Sequence, residues 1–317
     1  MAEMASGAGV AALKSLAWSL SFPVNVLVVH DYGPLGRVLL EQLKQTTLHI
    51  SPLLISEPGN ANLSALADWV PADTDLIVNA LWQADPEVAE PDPEAARETA
   101  FSLPMALAEH AREHGMALVQ LSSCYVFDGR KQSAYLASNP GQPFSQLGNW
   151  QWECEQALRT LLPRHLILRT GWSLGRFIRK VQDSALDRSM LPLSSRYHGQ
   201  PVAYRDLARV IVAILQQIDC GAEVWGTFQY AGAEEISHYE LGLAIAELAG
   251  LPEGTRVVDE VPEWAALEPE NATLGCTKIR NTFGIKQLPW RRMLDEELAL
   301  ISARAPDRET VGQIRED

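Results

Sequence analysis

Continuous apolar runs alternate with stretches whose apolar residues recur every three or four positions. Residues 24–29 (VNVLVV) form a run rich in β-branched side chains that ends in His-Asp-Tyr-Gly, the pattern of a buried parallel strand. Leu35, Leu39, Leu40 and Leu43 then fall on one helical face. Further strands are predicted at 49–55, 76–80 (LIVNA), 116–121 (MALVQL) and 165–169 (HLILR), with helices over 95–114 and 145–161. Strand and helix thus alternate at least four times, which predicts an α/β fold with a Rossmann-like, doubly wound parallel sheet. Ligands of such sheets bind beyond the carboxyl ends of the strands. Past Gly171 the alternation breaks, with helices at 204–217 and 237–249 flanking a strand at 224–230, and a last helix near 290–303. Three parts are expected. Residues 1–22 form an N-terminal extension with a short amphipathic helix over 10–20. Residues 23–172 form a dinucleotide-binding Rossmann-like domain. Residues 173–317 form a smaller C-terminal substrate-type lobe, some of whose helices return to the main domain.

Composition narrows the function. The formal charge of −14, from 26 basic and 40 acidic residues, argues against nucleic acid and anionic membranes as partners. The four cysteines are scattered without metal-ligand spacing, so neither a zinc site nor a disulfide framework is expected and reduced thiols in the cytoplasm are. Lys14 interrupts the early apolar stretch and Glu3 precedes it, unlike a signal peptide, and no run is long enough to span a membrane. His110 and His114 share a helix face but lack a third ligand, so they read as a surface pair and no metal is expected. Residues 85–98, six carboxylates against one arginine, read as an acidic, proline-rich solvated loop.

The first strand-to-helix turn runs His30-Asp31-Tyr32-Gly33-Pro34-Leu35-Gly36. A G-x-x-G-x-x-G turn lets backbone approach a pyrophosphate at a helix N-terminus. Here Gly33 and Gly36 hold the second and third places, and His30 the first. Gly33, Leu35 and Gly36, with Ser122 further on, are the candidate cofactor-binding residues. Two readings stay open, an NAD or NADP site that is weakened and a turn whose cofactor is lost. Glu57 stands where an acidic ribose ligand would follow the second strand.

The segment Leu121-Ser122-Ser123-Cys124-Tyr125-Val126-Phe127-Asp128-Gly129 resembles the "STDYVFDG" segment of dTDP-4-dehydrorhamnose reductases, an extended branch of the short-chain dehydrogenases/reductases. Collinear matches follow at Glu155, at Leu168-Arg169-Thr170-Gly171-Trp172, at Gly199-Gln200-Pro201 with Asp206-Leu207-Ala208, and at Leu288-Pro289-Trp290. The resemblance covers residues 24–300. It implies the fold, the sugar-nucleotide-binding family and a catalytic set of a Ser/Thr, a Tyr and a Lys four residues later. It retains Ser123 as the hydroxyl and marks Gly199 and Pro201 in the substrate lobe. Counted from Ser123, however, the tyrosine and lysine positions fall on Leu147 and Gln151, which cannot titrate. None of the seven tyrosines has a lysine four residues on, so the pair has not shifted. Trp150 and Trp152 flank Gln151 and read as helix packing. Ala100 replaces an asparagine, Val202 a threonine, and Leu267-Glu268-Pro269 takes the place of a basic "RRP".

The expectation is a catalytically degenerate member acting as a regulatory or binding subunit, with a protein partner or as a homodimer. The β regulatory subunit of methionine adenosyltransferase belongs to the same family and, by analogy, shows that this scaffold can serve in a regulatory complex. The alternative is an active NAD(P)-dependent reductase of nucleotide-sugars, in which Ser123 with a water, or Tyr125, replaces the lost proton donor.

Overall fold

The computed structural model describes residues 23–83, 85–187, 189–249 and 256–302; the helix expected over 10–20 lies outside them. Six parallel strands form one sheet in the order β2-β1-β3-β4-β5-β6, namely β1 (Asn25–His30), β2 (His49–Leu54), β3 (Leu76–Asn79), β4 (Ala117–Ser123), β5 (His165–Thr170) and β6 (Gly226–Tyr230). Successive side chains of a strand point to opposite faces. Val26 and Val28 accordingly join one core with α1 (Pro34–Leu43), while Leu27 and Val29 join a second with α2 (Leu103–His114) and α3 (Gln146–Leu161). Helices cover both faces, as the Rossmann-like expectation requires. Chain order reverses between β1 and β3, the place where such sheets open a crevice.

Later segments support this frame. The strand expected at 224–230 pairs parallel with β5, Phe228 opposite Leu168, and so completes the main sheet from beyond residue 172. Helix α4 (Leu174–Asp187) precedes α5 (Tyr204–Asp219), which packs on α1. Helices α6 (His238–Leu248), α7 (Thr277–Phe283) and α8 (Leu294–Ser302) complete the described chain. Among the described residues, no helix is long and apolar enough to cross a membrane.

The acidic stretch 85–98 is not a loop. Asp85 and Asp92 accept hydrogen bonds from the amides of Glu87 and Ala95, and Pro86 and Pro93 open the short helices Pro86–Ala89 and Pro93–Arg97. An aspartate cap followed by proline is a helix-start signal, and it outweighs the local charge. The second short helix runs through a π-helical turn, Glu98–Ser102, into α2. At the start of α3, Ser145 Oγ accepts from the Gly148 amide at 3.2 Å. A β-carbon at Gly148 would meet the Tyr125 carbonyl at 2.2 Å, so glycine lets α3 lie against the turn after β4.

Candidate functional site

Helix α3 packs against β4 and β5 and reaches the chain beyond β3 through Gln151. Ser123 ends β4 and donates to Gln151 Oε1 at 2.5 Å. Gln151 Nε2 in turn donates to the Gln83 carbonyl at 3.0 Å, beyond β3. Leu147, one turn earlier on α3, is fully buried in the core. Ser123 and Gln151 are therefore in contact, with Leu147 one turn away on the same helix. They present a hydroxyl, an amide whose two ends are both engaged, and a buried aliphatic side chain.

Ser122 faces a different partner. Its hydroxyl donates to Glu155 Oε1 at 2.7 Å, and Arg169 grips the same carboxylate with Nε at 2.8 Å and Nη2 at 2.6 Å. Arg159 Nη2 adds a third cationic contact at 2.6 Å. Ser122 thus serves a buried charge network. Trp152 packs over Gly141 and beside Arg159 and Arg169, and Trp150 lies beside Arg97. Both are helix packing in this structure.

At the phosphate turn, the Gly33 amide donates to Asp31 Oδ1 at 2.7 Å. His30 Nδ1 lies 2.7 Å from the Asp31 carbonyl, and a β-carbon added at Gly36 would stand 2.9 Å from His30 Cβ. Pro34 at the first helical position has no N–H to offer. Leu35 is buried in the core. A carboxylate on the amide that would face a phosphate, and an imidazole in the first glycine's place, do not suit a pyrophosphate. Glu57 is exposed at a shallow cavity past β2, with Ser56, Asn60 and Trp69.

The lobe residues hold a tryptophan. Gly199 packs on Trp172, where a β-carbon would stand 2.5 Å from Cε2, and Pro201 pairs with Trp172 in a two-residue parallel ladder. Trp172 lies against His238, centroids 4.3 Å apart, and against Phe177.

Sequence reasoning missed a buried polar cluster beside them. Arg176 on α4 donates to the Tyr125 hydroxyl at 3.1 Å and to Glu268, and its Nε lies 3.0 Å from Asp85 Oδ2. His238 Nε2 lies 3.4 Å from Glu268 Oε2. Burial favours the neutral form of Glu268, but the Arg176 guanidinium and the His238 side chain together outweigh it and hold the acid below the usual carboxylate range. Burial pushes Tyr125 well up and His238 down, and raises Asp85 against the pull of Arg176. Tyr125 is thus a poor replacement proton donor. The signal for Arg176 was the spacing of Leu174, Phe177, Ile178, Val181 and Ala185, which buries that face of α4. Arg176 and Glu268 also divide the cleft. Arg176 lines a cavity of about 180 Å³ with Trp82 and Tyr204, and Glu268 lines another of about 440 Å³ with Asp128 and Tyr197.

The model of the RmlD substrate binding domain matches residues 24–302. The dTDP-4-dehydrorhamnose reductase of Aggregatibacter actinomycetemcomitans is 30% identical over 287 residues, covering 85% of this chain and 97% of that protein. The methionine adenosyltransferase 2 subunit beta of Mus musculus is 28% identical over 299 residues, covering 86% and 87%. A solved dTDP-4-dehydrorhamnose reductase from Clostridium acetobutylicum superposes with a TM-score of 0.75 at 23% identity, covering 88% of this chain and 99% of that one. One from Bacillus anthracis, solved in complex with NADP, gives 0.75 at 21% identity over the same shares. These two likenesses are of fold.

Proposed function

The chain belongs to the RmlD substrate-binding-domain family of dTDP-4-dehydrorhamnose reductase-like proteins, and we propose that within it this member is catalytically degenerate and works as a regulatory or binding subunit. The observation that carries the reading is the closed triplet Ser123–Gln151–Gln83 beside buried Leu147. Reduction of a carbonyl needs a proton at the oxygen that receives hydride, from a group with a suitable pKa within hydrogen-bond reach. Gln151 and Leu147 hold no such proton, and the Ser123 hydroxyl is spent on Gln151.

The phosphate turn supports the same reading. NAD or NADP, when bound by a relative, supplies the hydride; in this chain Asp31 and His30 leave its site weakened or lost. The likeness to a methionine adenosyltransferase subunit supports a protein partner, with a homodimer as the other assembly. A nucleotide-sugar would be a ligand only of an active enzyme. The cytoplasm is the matching compartment, which the four unpaired cysteines support.

The test is incubation of the purified protein with NADPH and dTDP-4-dehydrorhamnose. No cofactor oxidation above background is expected. Sustained stoichiometric oxidation would overturn the reading and restore the active-reductase alternative.

A further inference from the structure

Beyond the ends of β3 and β5, Trp82, Val88, Ala89 and Tyr204 wall the cavity of about 180 Å³, with Arg176, Arg179 and the carboxylate of Asp85 at its polar side. The Trp82 indole N–H donates to Thr170 Oγ1 at 2.9 Å, and its ring stands edge-on to Tyr204 at 5.6 Å. The aromatic corner is therefore preset. Val88, apolar and 73% exposed, stands uncovered at the cavity.

The charges near the cavity are unevenly used. Arg176 donates to Tyr125 and Glu268 through Nη1 and its Nε lies 3.0 Å from Asp85 Oδ2, while neither Nε nor the buried Nη2 makes a hydrogen bond. Arg179, on the next turn of α4, donates to the Tyr204 hydroxyl at 3.1 Å, a neutral acceptor for a cation. Asp85 and Glu87 are committed, to Arg176 and Lys180. A guanidinium bonded to a neutral hydroxyl keeps donors for a ligand carboxylate, with which its hydrogen bonds would be charge-assisted.

We propose that this cavity binds a small monoanion with an aromatic or apolar body, a carboxylate of about the size of benzoate, whose carboxylate meets Arg179 at the cavity's polar side. The proposal rests on the reading that the cleft no longer serves nucleotide-sugar reduction. Size supports it, since the cavity is smaller than the roughly 300–1,000 Å³ of sites for drug-sized ligands. Charge supports it too. Arg176 and Lys180 already face Asp85, Glu87 and Glu268, which leaves Arg179 for a ligand, so the several charges of a pyrophosphate would be left uncompensated in a partly buried space.

The experiment titrates the full chain with benzoate and with its uncharged isostere benzamide, following tryptophan fluorescence and melting temperature. Benzoate should give a saturable response and raise the melting temperature. Benzamide, and benzoate with R179M, should bind about tenfold more weakly or worse. W82F, which keeps an aromatic wall, should lose the fluorescence change and keep the thermal shift. Absence of saturation with benzoate overturns the proposal, as do equal binding of benzamide, an unaffected R179M, or a fluorescence change that persists in W82F. An NADPH and dTDP-4-dehydrorhamnose assay in the same buffer reads the degenerate-subunit reading separately, because turnover there overturns that reading whatever benzoate does.

Discussion

Ser122 and Ser123 are neighbours at the end of β4, and α3 offers them partners four residues apart. Ser122 meets Glu155, a carboxylate also held by Arg169 and Arg159. Ser123 meets Gln151, a neutral amide that spans to the Gln83 carbonyl. Both pairs join the same strand to the same helix, since i and i+4 share a helix face. The difference lies in chemistry. One pair keeps a buried charge with its full complement of donors, and the other is a neutral strut. The junction of α3 with β4 therefore rests on hydrogen bonds together with the core packing of Leu147, Cys154 and Leu158.

The charged pair should be the stiffer test. Arg169 and Glu155 are almost wholly inaccessible, so R169M would leave a buried carboxylate with Arg159 and a serine. Breaking one side of such a pair costs about 3–5 kcal/mol. Urea denaturation of R169M should show a loss of that order. A loss under about 1 kcal/mol would mean that Arg159 suffices, and the contrast between the two serines would weaken.

A third buried carboxylate calibrates the first. Glu297 on α8 accepts from the Tyr204 amide at 2.9 and 3.1 Å, with no guanidinium bonded to it among the described contacts. Burial pushes its pKa up to about 8, against the pull of that amide and of Arg179 and Arg205. A pKa raised on folding favours the folded state fully below the unfolded value near 4.5, and that contribution falls as pH rises to about 8. E297Q should flatten this dependence, matching the parent near pH 5 and exceeding its stability at pH 9 by up to a few kcal/mol. Parallel pH curves for the two proteins would refute the assignment.

How much of this was legible beforehand follows from distance along the chain. The sheet announced itself in runs such as VNVLVV, because parallel strands are buried on both faces. Ser123, Leu147 and Gln151 were found by spacing from one motif. Helix α4 was not, although Leu174, Phe177, Ile178, Val181 and Ala185 give it an apolar face, and neither was the partnership of Arg176 with Glu268, 92 residues apart. Glu268 read as a reversal of charge in a substrate lobe. Packed, it is the counter-ion of Arg176. Nothing local in either segment specifies the other, so only the tertiary fold brings them together.

The neutral pair predicts a smaller effect. S123A removes the donor to Gln151 Oε1 in a site without water access, which should cost about 1–3 kcal/mol. S123A/Q151L removes both partners, and a double-mutant cycle should return a coupling of about 1 kcal/mol. A coupling near zero would show that the short contact contributes nothing, leaving α3 held by Glu155 and core packing alone.

The phosphate turn repeats the neutral pair's logic at the other end of the cleft. Gly33 N–H, like the Ser123 hydroxyl, has an internal partner, and that partner carries a negative charge. H30G/D31A would free the amide, remove the like charge a phosphate would meet, and restore the first glycine of the turn. NADPH affinity by calorimetry should rise by about tenfold or more, which corresponds to roughly 1.4 kcal/mol. Reductase activity should not return with it, because Leu147 and Gln151 still supply no proton. Unchanged affinity would move the obstacle from the turn to Gln151 and Gln83, where the amide closes the gap between α3 and the end of β3. Gained affinity with turnover would show instead that the cofactor seat, and not the missing tyrosine and lysine, was what silenced the chemistry.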